Sequence, residues 1–415
     1  MSQAKGKMAS FYLIAMVTCF VTGSLIGAGI LGLPIKTGLA GLLPALAGVF
    51  AVSCAMLFTA FVLASESVNT HQEVFHYPSM YQKYFGSIGK WGAVIANLII
   101  LYGSLLVYIT GATAIIIKFS TFHISRELII LLFFLPVTAI TIANPKSLLR
   151  YNALFVVVLL ISFVFIVAMG ERYVDPRRFS HMDWAMLPVA LPIIVMAANF
   201  HSIIPTVCKQ LDWDFKKIAI VIFIGTAIGF IMNSLWIQVG VGVMPLSGDN
   251  GIIQTLDNNL PATVPLEQII KAPFFIPISL IFALLAIITS YISFGNTTID
   301  FIDDILINHF KVKNRALTIG IVFVPPLAIA LAYPEIFLNA LDFVGGIGVV
   351  ILFGIFPCII ALKRKGPLFK RLIFAVPVLI LFVSILFFKA QQELGMSRFK
   401  PTVEYWTNFR FLSHR

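Results

Sequence analysis

The sequence predicts an all-α integral membrane protein with eleven transmembrane helices. Two observations support this prediction: 59% of the 415 residues are hydrophobic while 11% are charged, and apolar runs recur along nearly the whole chain. A soluble domain of this length could not hide so much apolar surface. A third observation concerns two apolar runs that are interrupted at their middle, which indicates a site inside the membrane.

Eleven apolar runs are long enough to cross a bilayer, because a hydrocarbon core of about 30 Å needs about 20 helical residues. They are residues 11–35, 40–65, 91–118, 127–144, 150–170, 184–208, 217–242, 273–298, 316–333, 336–361 and 370–389. We predict a single transmembrane domain over residues 1–389 and a basic, aromatic tail over 390–415. The longest connection, 243–272, contains Gly, Pro, Asn and Asp and is predicted to be an exposed surface segment.

The Lys and Arg residues favour an amino terminus in the cytoplasm. In that orientation the cytoplasmic loops carry seventeen of them, against seven in the opposite loops, as the positive-inside rule expects. Topology therefore explains the net charge of +11, and we predict no nucleic-acid partner. Eleven spans leave the carboxyl-terminal tail outside although it is basic, so either the tail rests on lipid headgroups or the number of spans is off by one.

The two interrupted runs are the first and the sixth span, five helices apart. A repeat of five helices enters the membrane in opposite directions in its two copies, which is the inverted symmetry of many secondary transporters. We therefore predict one repeat over residues 11–170 and a second over 184–361, with residues 370–389 as an added helix.

The first interruption, GSLIGAGILGLP at residues 23–34, contains Gly27, Ala28 and Gly29 in succession. Their amides would be free at the start of a half-helix, where the positive end of the helix dipole suits a carboxylate. The alternative is a stripe of small residues for close helix packing, and Gly23 with Gly27 has the GxxxG spacing of such a stripe.

The second interruption, PVALPIIVMAANFHSIIP at residues 188–205, contains Asn199, Phe200, His201 and Ser202. Of the seven histidines, His201 alone is predicted near the middle of the membrane, where a polar side chain is costly and by default functional. Two interpretations stay open for His201: contact with a substrate or a proton, and a hydrogen bond between helices. Phe200 fits a packing role equally well.

Two unbroken spans contribute further candidates. In the third span, Tyr108 lies one turn after Ser104 and could close over a bound ligand. In the eighth span, the hydroxyls of Thr289 and Ser290 could join main-chain carbonyls of the first break, such as those of Gly23 and Ile26, around a small cation such as Na⁺. Alternatively, these hydroxyls bond only to their own helix.

Two charged residues lie in or beside the apolar runs. Asp342, inside the tenth span, is a candidate for a proton relay unless it lies shallow enough to meet water at the outer face. Lys36, just after Pro34, is predicted to be a hydrated or snorkelling residue at a helix end. We predict no organic cofactor and no metal site beyond a possible Na⁺, and the four cysteines show no CxxC spacing.

With these residues in view, the chain resembles the bacterial hydroxy and aromatic amino acid permease family, and within it the tyrosine-specific permeases. The resemblance is carried by GSLIGAGILGLPI, YGSLLVYITGA, ANFHSIIPTV and VPPLAIALAYPEIFLNAL. It implies the leucine-transporter type fold of five plus five inverted helices, within the amino acid–polyamine–organocation superfamily. It also implies symport of tyrosine, tryptophan or phenylalanine across the bacterial inner membrane, coupled to a proton or sodium gradient.

The resemblance also implies roles for individual residues. Gly27, Ala28 and Gly29 match the stretch that holds the substrate carboxylate, and residues 199–202 match the unwound part of the sixth helix near the amino group and side chain. Tyr108 matches a tyrosine of the third helix. Thr289 and Ser290 fall where sodium-coupled relatives place ligands, whereas the tyrosine permeases resemble proton symporters. Asp342 departs from the tyrosine permease pattern, which has an uncharged residue there.

Three other functions compete with this prediction. A serine or threonine symporter would differ in pocket volume, on which Phe200 and Tyr108 give the available hints. A membrane-embedded enzyme would need Ser202 beside His201, but adjacent helical residues point about 100° apart, and no GxSxG, HExxH or paired-carboxylate motif accompanies them. A channel would not need two broken helices. We therefore predict a transporter and not an enzyme.

Overall fold

The computed structural model describes residues 2–70, 77–119, 124–143, 145–364 and 368–396. All regular secondary structure within these residues is helical. The predicted tail beyond residue 396 lies outside the described residues.

Sixteen α-helices and one long π-helical segment are the main elements of the described residues, beside four short 3₁₀ helices and a short π-helical segment at Leu306–Phe310. They are α1 (Ser2–Leu25), α2 (Ala28–Gly38), α3 (Leu42–Thr70), α4 (Tyr77–Phe119), α5 (Arg126–Ala143), α6 (Pro145–Gly170), α7 (Leu187–Ala197), α8 (Ile204–Gln210), α9 (Phe215–Val243), α10 (Ile252–Asp257), α11 (Thr263–Ile269), α12 (Phe275–Ile305), α13 (Arg315–Ala332), α14 (Phe337–Phe343), the π-helical segment Val344–Ile355, α15 (Phe356–Lys363) and α16 (Leu368–Glu393).

Ten stretches of the described chain can cross a membrane, and the bent pair α1 and α2 makes the eleventh. The predicted number of spans is therefore confirmed. The third span is longer than predicted because α4 already begins at Tyr77, and Gly86 bends it with a φ of 66°. The tenth span contains the π-helical segment Val344–Ile355, a wider helix form that in most proteins is limited to a single turn.

The first span is broken where the sequence predicts it. Its two halves, Phe11–Leu25 and Ala28–Gly38, meet at an angle of 52°. Gly27 separates them in an extended conformation, with φ −111° and ψ −163°. A residue without a side chain makes this sharp change of direction easy.

The sixth span is broken as well. Its first half, α7, ends at Ala197, and the chain then leaves the helix before a single 3₁₀ turn at His201–Ile203 leads into α8. Pro205 is the second residue of α8, in the first turn, where the missing N–H of a proline does no harm. Two helices thus stop and restart inside the apolar core, as the sequence predicts.

The helix ends form two groups, one at each face of the bundle. At the first face, here called the Lys36 end, the Asp183 amide donates to the Ala40 carbonyl at 2.8 Å and Arg178 donates to the Gly242 carbonyl at 2.9 Å. At the opposite face, here called the Glu66 end, Arg364 pairs with Glu66 at 2.6 Å. Consecutive helices alternate between these faces, as an unbroken series of crossings requires.

The segment 243–272 does not match its predicted character. It forms α10 and α11, and residues 262–266 are buried. The Ala262 amide donates to the carbonyl of Leu31 at 2.8 Å, so the segment covers the half of the first span at the Lys36 end. The prediction of an exposed surface segment was wrong because the segment folds into two short helices, α10 and α11, whose buried residues include Ile252, Val264 and Leu266.

Candidate functional site

The two helix breaks lie against each other. A Cβ added to Gly29 would lie 2.9 Å from the Cα of Ala197, closer than such atoms approach in proteins. Gly29 begins the second half of the first span, and Ala197 ends the first half of the sixth. The absence of a side chain at Gly29 therefore allows main chain to touch main chain where both helices are interrupted.

The first break presents amides near two hydroxyls. Ala28 and Gly29 are the first two residues of α2, so their N–H groups have no intrahelical acceptor. A Cβ on Gly27 would lie 3.4 Å from Ser290 Oγ and 3.8 Å from the hydroxyl of Tyr108. The structure thus brings together the first break, the third span and the eighth span, which are far apart in sequence.

Tyr108 is buried, and its ring meets that of Phe294 edge to face at a centroid distance of 5.7 Å. One turn closer to the Glu66 end, Ser104 is buried with no hydrogen-bond partner for its hydroxyl among the described residues. One turn toward the Lys36 end, Gly111 lies against the ring of Phe337, which a Cβ on Gly111 would meet at 2.7 Å. Tyr108 therefore lies between a polar and an aromatic neighbourhood.

The second break is stabilised by its own side chains. The Asn199 side-chain oxygen accepts from the amide of His201 at 3.3 Å. Phe200 is fully buried, with its ring 5.0 Å from that of His201. Ser202 is partly exposed. These four residues are neighbours, but the structure directs them to different surroundings.

The ring of His201 faces the second span. Its Nε2 lies 2.9 Å from the hydroxyl of Thr59 and 3.1 Å from the carbonyl oxygen of Met56, both in α3. The ring stacks on Phe353 at 5.3 Å, and the hydroxyl of Tyr77 donates to the main-chain oxygen of His201. These contacts match the helix-to-helix interpretation, whereas a role with substrate or proton stays a prediction.

Thr59 and Tyr77 were not among the residues that the sequence singled out. Thr59 stands in an apolar run, and a hydroxyl in such a run was the available signal. Tyr77 precedes the stretch predicted as the third span, so nothing in the sequence connected it with the sixth.

The candidate cation ligands are only partly assembled. Thr289 donates its hydroxyl to the carbonyl of Leu285 at 2.7 Å, in its own helix. The Gly23 carbonyl accepts from the amide of Ile26 at 3.3 Å, and Gly23 itself lies against Val156 of α6. Ser290, by contrast, faces the first break, with its Oγ 3.4 Å from where a Cβ on Gly27 would lie. A cation site here stays a prediction.

Lys36 and Asp342 form a buried ion pair. The Lys36 Nζ lies 2.5 Å from Asp342 Oδ2, and the two side chains are 5% and 1% exposed. The prediction that Lys36 is a hydrated end residue was wrong, because α2 is buried along its whole length and leaves Lys36 no route to water. Asp342 likewise does not meet water at the outer face. The pair joins the first span to the tenth.

The two halves of this region are unequally buried. Every residue of α2 is buried, as are residues 192–201 of the sixth span. By contrast, Thr206 on α8 and both Ser293 and Thr297 on α12 are exposed. All three lie between the breaks and the Glu66 end. The half of this region toward the Glu66 end is therefore less tightly covered by protein than the half toward the Lys36 end.

A sequence profile of the tryptophan/tyrosine permease family matches residues 12–393. The chain belongs to the tryptophan/tyrosine permease family. The permease is therefore a multi-span membrane transport protein and not an enzyme, and the predicted resemblance is confirmed.

Several curated relatives are similar to the permease over most of their length. The tyrosine-specific transport system 1 of Haemophilus influenzae is 28% identical over 341 residues, which cover 79% of this chain and 82% of the relative. The tyrosine-specific transport system 2 of the same organism is 26% identical, covering 78% and 82%. Its tryptophan-specific transport protein is 24% identical, covering 82% and 85%.

Proposed function

We propose that the permease is a secondary symporter that imports the aromatic amino acids tyrosine, tryptophan or phenylalanine across the bacterial inner membrane. The observation that carries the proposal is the contact between two helix breaks at Gly29 and Ala197, beside the hydroxyls of Tyr108 and Ser290. The names of the relatives support aromatic substrates.

The first break offers a partner for the substrate carboxylate. The amides of Gly27, Ala28 and Gly29 stand at the start of α2, where the helix dipole and the free N–H groups favour an anion. The carbonyls at the end of α7 have the opposite polarity and suit the ammonium group. A zwitterion would therefore lie between two half-helices, with its side chain toward Tyr108 and the second break.

The unequal burial supports transport by alternating access. The Lys36 end is closed by the buried α2, by the Ala262 amide on Leu31 and by the Lys36–Asp342 pair. The exposed hydroxyls of α8 and α12 face the Glu66 end. The conformation fits a state that is closed at the Lys36 end and open at the Glu66 end. Transport would require a second state that is open at the Lys36 end and closed at the Glu66 end.

The distribution of positive charge supports an orientation. The loops of the Glu66 end are those with the larger share of Lys and Arg, and we propose that they face the cytoplasm together with the amino terminus. The carboxyl terminus then lies in the periplasm, and the open state is inward-facing.

Two coupling ions fit the residues. Sodium would use Thr289, Ser290 and the carbonyls of Gly23 and Ile26, and a proton would use His201 or the Lys36–Asp342 pair. A serine or threonine symporter is the alternative within the same class, and substrate size separates the two.

The test is uptake into proteoliposomes under an imposed proton or sodium gradient. Labelled tyrosine is offered with tryptophan, phenylalanine, serine or threonine in excess. We expect saturable uptake driven by one of the two gradients and competition by aromatic amino acids. Competition by serine and threonine alone would favour the alternative, and uptake that ignores both gradients would refute symport.

A further inference from the structure

A cavity of about 220 Å³ lies at the Lys36 end, apart from the two helix breaks. Four structural parts surround it: the end of α4, the start of α5, the segment that contains α11, and the turn before α14. Its volume is below the roughly 300–1,000 Å³ of pockets for drug-sized ligands, so it suits a molecule as small as an amino acid.

The charges in this cavity match those of a zwitterion. Lys118 makes no ion pair or hydrogen bond among the described residues, so its ammonium group is available to a carboxylate. Opposite charge is present too, because Glu335 lines the cavity and pairs with Arg126. The side chains of Arg126 and Glu335 are 49% and 60% exposed, so the cavity meets water at this end.

The remaining wall is largely apolar. Ile117, Leu260, Val264 and Pro334 line it, beside the amide of Asn258. The cavity therefore offers apolar contacts to a hydrophobic side chain and charged partners to the carboxylate and ammonium groups of the same amino acid. A hydrophilic amino acid would gain less from these walls.

The cavity lies in line with the proposed central site. Ile117 and Tyr108 share α4, nine residues or about 14 Å apart along the helix axis. Between them, Gly111 contacts the ring of Phe337, which is 1% exposed. Phe337 begins α14 only two residues after Glu335, so a shift of this turn would change the cavity and the aromatic contact together.

We propose that this cavity is a second substrate site, which binds an aromatic amino acid zwitterion from the water at the Lys36 end before the ligand passes Phe337. The carboxylate pairs with Lys118 and the ammonium group with Glu335. This inference rests on the proposed function, since it concerns the same substrate at an earlier point of its route.

The test compares Lys118→Gln and Glu335→Gln with Lys271→Gln. Lys271 is an exposed lysine at the same end that does not line the cavity, so it controls for a general loss of surface charge. We expect the KM for tyrosine uptake to rise about twofold to fivefold in the two cavity variants, as for partly exposed ionic contacts, with an unchanged maximal rate. Lys271→Gln should behave as the wild type.

Equilibrium binding of labelled tyrosine to the purified full chain provides the second measurement. We expect two sites per chain in the wild type and one in Lys118→Gln. One site per chain in both proteins, or equal KM values for Lys118→Gln and Lys271→Gln, would overturn the second site. A wild type without aromatic uptake would instead refute the proposed function. The number of tyrosine molecules bound per chain would then test the second site independently of transport.

Discussion

Lys36 and Asp342 carry opposite charges in an apolar region, and neither side chain is more than 5% exposed. An unpaired charge in such surroundings is costly, and a buried pair is stable only while both members are present. The pair therefore stabilises the contact between α2 and α14 only when both charged side chains are present. The pair lies near the Lys36 end. By holding the first span against the tenth, it helps to keep that end closed.

Replacement of one partner should destabilise the protein far more than replacement of both. Asp342→Leu leaves a buried ammonium group without a counter-charge, and we expect a loss of about 3–5 kcal/mol. The double variant Lys36→Met with Asp342→Leu should recover most of this loss. Thermal unfolding in detergent measures the stability of both variants. Equal melting temperatures for the single and double variants would contradict the stabilising role of the Lys36–Asp342 pair.

His201 illustrates a second buried polar contact, since its ring joins the sixth span to Thr59 and Met56 of the second. Removal of the ring leaves a cavity beside Phe353 and removes the contacts that hold the second break against the second span. We expect His201→Ala to insert into the membrane, to lose about 2–5 kcal/mol as other large-to-small changes in cores do, and to reduce saturable tyrosine uptake.

Thr59→Val is the matched control for that variant. It deletes one hydrogen bond of His201 and keeps the ring, so we expect a loss of about 0.5–1.5 kcal/mol and nearly normal uptake. Unchanged uptake kinetics in His201→Ala would remove His201 from the transport machinery.

At the scale of elements, the contact of α2 with α7 depends on Gly29. A methyl group there would meet main-chain atoms of Ala197 at 2.9 and 3.0 Å, and main chain cannot move aside as a flexible side chain can. We expect Gly29→Ala to cost about 1–3 kcal/mol and to abolish uptake. Gly320→Ala in α13 is the control, because nothing lies within 4 Å of its added Cβ. Normal uptake by Gly29→Ala would show that the two breaks need not touch.

The α10–α11 segment contains a carboxyl group that responds to pH. The side chain of Glu267 is buried and accepts a hydrogen bond from Ser279, while its second oxygen has no partner among the described residues. Burial raises the pKa of Glu267 from 4.5 to about 8. The packed position of α11 therefore favours the protonated carboxyl group.

This raised pKa gives a pH dependence with a definite sign. The packed segment should be most stable below about pH 4.5, where packed and released forms are both protonated, and should lose stability as the pH rises toward about 8. Glu267→Gln should remove this dependence, whereas Glu127→Gln, at an exposed carboxylate, should keep it. Melting temperatures between pH 5 and 8.5 measure the effect, and identical slopes in both variants would refute it.

At the scale of the whole molecule, the proposed orientation and the open side can be tested together. Ser247 is exposed at the Lys36 end, and Ser293 is exposed between the helix breaks and the Glu66 end. Each is replaced by cysteine in a chain whose four natural cysteines have been substituted. We expect a membrane-impermeant thiol reagent to label Ser247→Cys in intact cells and Ser293→Cys only in inside-out vesicles. The reverse pattern would invert the orientation.

Much of the fold could be predicted because its signals are local. Span lengths follow from the thickness of the bilayer, and both breaks were found from Gly27, Gly29 and the residues around His201 because glycine and polar residues weaken a helix where they stand. The contacts made by these residues could not be predicted. The partners of His201 and Lys36 lie more than a hundred residues away, and no local pattern connects them.

The sequence by itself determined that the chain spans the membrane eleven times, that its first and sixth spans are interrupted, and that it resembles aromatic amino acid permeases, because apolar length and helix-breaking residues act within one segment. The tertiary structure alone decided that Lys36 is paired, that the segment 243–272 packs over the first span, and that a cavity forms beside Lys118. These features depend on which helices become neighbours. That choice reflects packing of the whole bundle, in which distant charges and side chains are brought within a few ångströms of each other.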